Sequence, residues 1–353
     1  MRTLWRLLLS GRVKWPLRDP FYRWEERLKR DGLTTTLRLE LRELLAPQVV
    51  LKRAFRRGDE AENTEPTQLK QLVDWELTLA TDHVYSLLAK LASEHCWRSA
   101  LPLLLEDFQQ LLRDALDLLR ELGEADDRND RSCWELRSIT SHRQNRDSCN
   151  WVTLIELLRE AWLAVRDVDS ARATRIAQAW FELPYTTFKR LALFAASQDA
   201  CIVPEQWVDW LLADGAWWLW SVETGREVCR LLVLQGRQLT GAAQDHLERA
   251  ILAGPPREMY RDDLEPYRWQ YLVARSVWLR LAKLHSSGLA LSTTTQTRLA
   301  ELSSANPKWQ LAADECDEFS LWGSGAVWIS GTGNSEYEES LKIDIAPASG
   351  ANS

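Results

Sequence analysis

The sequence predicts an all-α protein of helical hairpins, with a HEAT/TPR-like α-solenoid in its second half and an irregular C-terminal tail. Apolar residues recur every three to four positions over most of the chain, the spacing of amphipathic helices. Proline at helix starts and glycine after helix ends interrupt this pattern at regular intervals. Predicted helix pairs begin at residues 151, 186, 225 and 266. Their spacing falls in the range of two-helix repeats.

Tryptophan is the most frequent aromatic residue, with 19 copies against 7 phenylalanines and 7 tyrosines in 353 residues. Each indole buries about 150–250 Å² when packed, so the set requires an extensive interior. This composition excludes a disordered chain, because disordered segments are poor in aromatic residues.

Four helices are predicted in the first part of the chain. The first begins at Pro20 and ends at Gly32, where a glycine terminates the helix. The others cover residues 36–45, 69–91 and 97–122, with a polar loop at 56–66.

Four helix pairs are predicted in the second part. Ser170 is the expected N-cap of one helix, and Thr224 with Glu227 has the spacing of a capping box. The predicted pairs are 151–165 with 171–183, 186–197 with 204–213, 225–236 with 241–253, and 266–285 with 294–304.

These elements suggest four regions along the chain. They are an N-terminal helical domain with a basic start (1–123), a polar loop or linker (124–150), an α-α repeat domain (151–305) and an acidic tail that we expect to be poorly ordered (306–353).

Motifs of the common enzyme classes are missing from the sequence. It has neither a GxxxxGK[ST] phosphate loop nor a GxSxG nucleophile motif. Six dispersed cysteines without a CxxC pair favour a reducing compartment, and no apolar run is long enough to cross a membrane. We therefore expect a cytoplasmic, non-enzymatic protein without a cofactor or bound metal.

A dense tryptophan cluster is the first candidate binding site. Trp217, Trp218 and Trp220 are too closely spaced to share one helix face, so at least one is expected to be exposed or to lie in an interface. Tryptophan is enriched where proteins bind each other, which predicts a protein partner. Packing between helices is the alternative explanation for the same rings.

The basic N-terminal segment is the second candidate. Residues 1–57 carry a net charge of +9, whereas the remainder carries −16. Arg12, Lys14 and Arg18 lie here among several aromatic rings, and cations with stacking rings are what nucleic-acid binding requires. A nucleic-acid-binding helical protein is therefore the alternative function.

Five short strings carry a resemblance to a known group of proteins. They resemble the helical-repeat region of large bacterial proteins in which a STAND-type NTPase or SIR2-like NADase module precedes a helical array, several of which act in antiphage defence. The resemblance covers residues 20–300 and implies a sensor or scaffold that recognises another protein. The catalytic modules have no counterpart in this sequence, so no catalytic residue is carried over. The strings are LALFAAS (191–197), VDWLL (208–212), WWLWSVETGRE (217–227), AILAGPP (250–256) and VWLRLAKL (277–284).

Overall fold

The computed structural model describes residues 20–53, 73–81, 84–142, 145, 151–199, 201–312 and 316–317. Over these residues the chain is mostly helical, with one small antiparallel sheet. The predicted helical class is therefore confirmed, with the sheet as an addition. By internal contacts the chain divides into two compact units, Met1–Phe188 and Lys189–Ser353.

The first unit combines helices with the two strands. Thr34 caps α2, because its side chain accepts a hydrogen bond from the Leu37 backbone N–H. The predicted polar loop at 56–66 lies outside the described residues. The elements are α1 (Pro20–Asp31), α2 (Thr35–Leu44), β1 (Pro47–Arg53), β2 (Val73–Leu79), α3 (Val84–Leu91), α4 (His95–Glu121), the one-turn α5 (Ser132–Glu135), α6 (Thr153–Val168) and α7 (Ser170–Glu182).

The predicted helix over 69–91 is wrong in its first part. Val73–Leu79 forms β2, which pairs antiparallel with β1 from Pro47 opposite Leu79 to Arg53 opposite Val73. Its apolar residues alternate with polar ones, the period of a strand. Cross-strand pairing with β1 supplies the hydrogen bonds that a helix would otherwise make internally.

Helices α4 and α6 form the centre of the first unit. They make the most extensive contact between helices among the described residues. Phe108 and Leu112 of α4 and Leu158 and Trp162 of α6 are fully buried, and each contributes about 1.5–3 kcal/mol by leaving water. The Trp162 indole also donates to the Ala173 carbonyl at 3.0 Å.

Because of this packing, the chain divides after Phe188 and not within residues 124–150, the predicted linker. Helices α6 and α7 belong to the first unit because the apolar faces of α4 and α6 cover each other. The cap of α7 also differs from the prediction. Asp169, one residue before Ser170, accepts the hydrogen bond from the Arg172 N–H at 2.8 Å.

The second unit consists of helices in the described residues, and their bounds follow the predicted pairs closely. Prolines at the first turns of α9 and α12 and glycines after α11 and α12 account for this agreement. The elements are α8 (Thr186–Ala196), which begins just before the division, α9 (Pro204–Trp220), α10 (Gly225–Gln235), a 3₁₀ turn (Gly236–Gln238), α11 (Gly241–Ala253), a second 3₁₀ turn (Arg257–Met259), α12 (Pro266–Ser286) and α13 (Thr293–Ala305).

Helices of the second unit pack against neighbours one and two places along the chain. Contacts join α9 to α10 and α11, and α12 to α10, α11 and α13. Ten of the described tryptophans in the two units are buried, so most of these indoles are part of the interior, as predicted.

Candidate protein-interaction site at the kink of α9

Helix α9 is interrupted near its end by a backbone kink. Three consecutive residues, Asp214, Gly215 and Ala216, have positive φ angles of 53°, 71° and 65°. Glycine adopts this left-handed region without steric cost, but Asp214 and Ala216 carry a Cβ that disfavours it. The helix stop predicted at Gly215 is therefore present, and the chain resumes a short helical turn after it. We call residues 213–217 the kink segment.

The tryptophans that follow the kink anchor it in the second unit. The Trp218 indole donates to the Asp214 carboxylate at 3.0 Å, and the Lys189 ammonium lies 5.5 Å from the Trp218 ring centroid. The Thr224 hydroxyl donates to the Trp218 carbonyl at 2.7 Å. These contacts hold the left-handed residues in place. A strained backbone conformation persists only where the surrounding structure maintains it.

Arg280 of α12 fixes the end of α9. Its Nε donates to the Leu219 carbonyl at 2.8 Å, and its guanidinium lies 4.2 Å from the Trp220 ring centroid. Arg280 is only 5% exposed. A planar guanidinium suits this position because it satisfies a terminal helix carbonyl and stacks on an indole at the same time.

A buried ion pair lies between α8 and α10. Arg190 donates to the two carboxylate oxygens of Glu227 at 3.2 and 3.0 Å, and the two side chains are 0% and 1% exposed. The capping box predicted from Thr224 and Glu227 is therefore wrong, although Thr224 does precede the first residue of α10. The two charges are 37 residues apart in sequence, and no local pattern identifies such a pair.

The structure brings the three predicted tryptophans together but places them at different depths. Trp218 and Trp220 are buried, at 3% and 1% exposure, whereas Trp217 is half-buried. Asp214 and Gly215 beside it are exposed. Within this group, Trp217 is thus the ring that a partner can reach. Whether a partner binds there remains a prediction.

The other candidate residues are only partly described. Arg12, Lys14 and Arg18 of the nucleic-acid alternative lie outside the described residues. In the predicted acidic tail, Trp309 is half-buried against Tyr271 and Trp278 of α12.

One carboxyl group of the first unit has a strongly shifted pKa. Loss of hydration raises the pKa of Glu135 to about 7, and the nearby Arg131 guanidinium opposes the shift. The residue as a whole is exposed, and the Trp151 indole donates a hydrogen bond to its carboxylate.

Tyr185 is a second shifted group in the first unit. Burial and the hydrogen bond that it donates to Asp117 raise its pKa, while the Arg120 guanidinium lies 4.4 Å from its ring centroid. The ring therefore stays a neutral donor, which suits a structural contact between α4 and the residues after α7.

None of the described helices is long and apolar enough to cross a membrane. In the same residues, no group of three or more His, Cys, Asp or Glu side chains is placed to hold a metal ion. No protein-family model, curated protein or solved structure matches the chain.

Proposed function

We propose that the protein is a non-enzymatic helical-repeat scaffold or sensor that recognises another protein through the kink segment. The observation that carries this proposal is the run of left-handed residues at 214–216, exposed at Asp214 and Gly215 and followed by the half-buried Trp217. Strained backbone of this kind is concentrated at binding and switch regions, where the surrounding structure maintains it.

Preorganisation supports binding at this position. The contacts of Asp214 with Trp218, of Thr224 with the Trp218 carbonyl and of Arg280 with Leu219 fix the segment before any partner arrives. A rigid segment loses little conformational entropy on binding, which increases affinity. A partly exposed indole on such a segment is the type of residue that dominates protein interfaces.

The proposed role as a sensor rests on the helix packing of the second unit and on the resemblance to helical-repeat proteins. Contacts between helices one and two places apart support a solenoid of stacked hairpins in the second unit. The resemblance to the helical arrays of antiphage defence proteins supports a cytoplasmic sensor that passes a recognition event to a separate effector protein.

The test compares two variants of the tagged full chain. We expect Trp217→Ala to abolish co-purification of the partner from phage-infected or uninfected cells. Tyr267→Ala, which removes an aromatic ring that is 81% exposed on α12, should leave it unchanged. Circular dichroism checks that both variants are folded. If the two variants recover the same proteins as the unmodified chain, the kink segment is not the binding site.

A further inference from the structure

Two helices of the second unit are contacted by the described chain after α13. Its described stretches, residues 306–312 and 316–317, contact α12 through Trp309 and α10 through Asp317. We call residues 306–312 and 316–317 the strap. It lies on a surface that the proposed function does not use.

Two anchors of different chemistry hold the strap. The Trp309 ring packs against Tyr271 and Trp278, with centroid distances of 5.6 Å to each, and its Nε1 lies 3.4 Å from the Tyr271 hydroxyl. The Asp317 carboxylate, 2% exposed, accepts a hydrogen bond from Arg230 at 3.1 Å.

The receiving surface presents two arginines on α10 and two aromatic rings on α12. Arg226 and Arg230 are four residues apart, so they share one face of α10, and both are half-buried. The surface is thus complementary to a segment that carries an indole and a carboxylate about eight residues apart, as Trp309 and Asp317 do.

The strap is held weakly enough for another segment to displace it. Burial of the Asp317 carboxylate has a desolvation cost that the ion pair with Arg230 must offset, and the ring contact of Trp309 is only half-buried. Segments with few buried contacts open at a lower free energy than the core, and binding elements are drawn from them.

We propose that the strap is an intramolecular occupant of a peptide-binding surface on α10 and α12, and that a partner protein displaces it with an acidic segment that contains an aromatic residue. The strap then competes with the partner. As a tethered segment it acts at a high effective concentration, so the surface is closed until a stronger or more abundant ligand arrives.

The test uses a fluorescent synthetic peptide with the sequence of residues 306–317, added to the full chain and followed by anisotropy. The variant Trp309→Ala/Asp317→Asn weakens the binding of the strap to the surface, whereas the added peptide keeps both anchors. We expect it to bind the peptide at least tenfold more tightly than the unmodified chain does, because the competitor is removed. The matched control is Tyr22→Ala/Asp31→Asn, which removes an exposed ring and an exposed carboxylate of α1 in the first unit and should bind like the unmodified chain.

Charge reversal on α10 identifies the surface. Adding Arg230→Asp to the strap-weakened variant should abolish binding, and a scrambled peptide of the same composition should bind at least tenfold more weakly than the native one. If the double variant fails to fold by circular dichroism, Asp317→Asn alone provides the same comparison. Equal binding by the unmodified and strap-weakened chains, no binding by either, or equal binding of the scrambled peptide would overturn the proposal.

Discussion

The ion pair between Arg190 and Glu227 in the second unit is enclosed more completely than the ion pairs of Asp107 and Arg159 in the first unit. In the first unit, the buried Asp107 carboxylate pairs with Arg38, whose side chain is 39% exposed, and the buried Arg159 donates to a backbone carbonyl and to an exposed glutamate. In the second unit, Arg190 and Glu227 are both fully enclosed and bond to each other. Asp107 and Arg159 therefore each keep a charged partner in contact with water, whereas Arg190 and Glu227 do not.

The enclosed pair fixes the geometry of the second unit more than it adds to its stability. Enclosing two charges is costly, and apolar side chains of the same volume often stabilise a protein equally well. The ion pair does, however, allow one relative placement of α8 and α10, since both oxygens of Glu227 are engaged. We infer that the second unit depends on such contacts to hold the start of α10, which directly follows the end of α9.

The largest expected effect is from breaking the enclosed pair. Arg190→Met leaves the Glu227 carboxylate buried without its cation, which should lower the free energy of unfolding by about 3–5 kcal/mol. The double variant Arg190→Met/Glu227→Met should recover most of this loss. Urea denaturation monitored by circular dichroism measures both.

The matched control in the first unit is Arg38→Met. Water reaches this arginine, and the neighbouring Arg42 lies 3.6 Å from the other oxygen of Asp107, so the loss should be nearer 1 kcal/mol. Losses of equal size at the two sites would remove the distinction between the units.

A smaller effect is expected at the kink segment. Ala216→Gly relieves the left-handed strain at φ 65° and should stabilise the chain by about 0.5 kcal/mol, after the entropic cost of glycine is included. The same change at Ala213, where φ is −57°, has no strain to relieve and should destabilise by about 0.5–1 kcal/mol. Thermal unfolding compares the two variants, and opposite signs are the diagnostic result. Two losses of the same size would mean that Ala216 is not strained.

The sequence predicted elements whose signals are local. Pro204, Pro266 and Gly254 bound their helices where expected, because a proline lacks the N–H that a first turn does not need and a glycine tolerates positive φ. The strand β2 was missed because Val73 and Leu77 also fit the helical spacing of the residues around them, although the alternation over Val73–Leu79 has the period of a strand. Pairing with β1, across a long sequence separation, decides between the two.

The candidate site could be located but not described from sequence. The clustering of Trp217, Trp218 and Trp220 indicated where to look, and the helix stop at Gly215 placed a turn beside them. The Trp220 ring lies against Arg280, which is 61 residues from Leu219 in sequence. Contacts of this kind leave no periodic pattern, so the sequence could not rank the three rings.

The smallest expected effect is a pH dependence that belongs to the first unit. The folded-state pKa of Glu135, at about 7, lies above its ordinary value of 4.5, so the folded chain binds more protons between these values than the unfolded chain does. Stability from this group is therefore present below pH 4.5 and is lost as the pH rises towards 7. Glu135→Gln should remove that loss, and its stability relative to the unmodified chain should increase from pH 4.5 to 7.5. The increase should stay below about 1 kcal/mol because water screens an exposed residue. Urea midpoints at four pH values measure the difference, with Glu301→Gln as the control for loss of an exposed carboxylate. A difference that stays constant with pH would show that the Glu135 carboxyl group is hydrated in the folded chain, and the first unit would then keep this charge, like the Arg38 guanidinium, within reach of water.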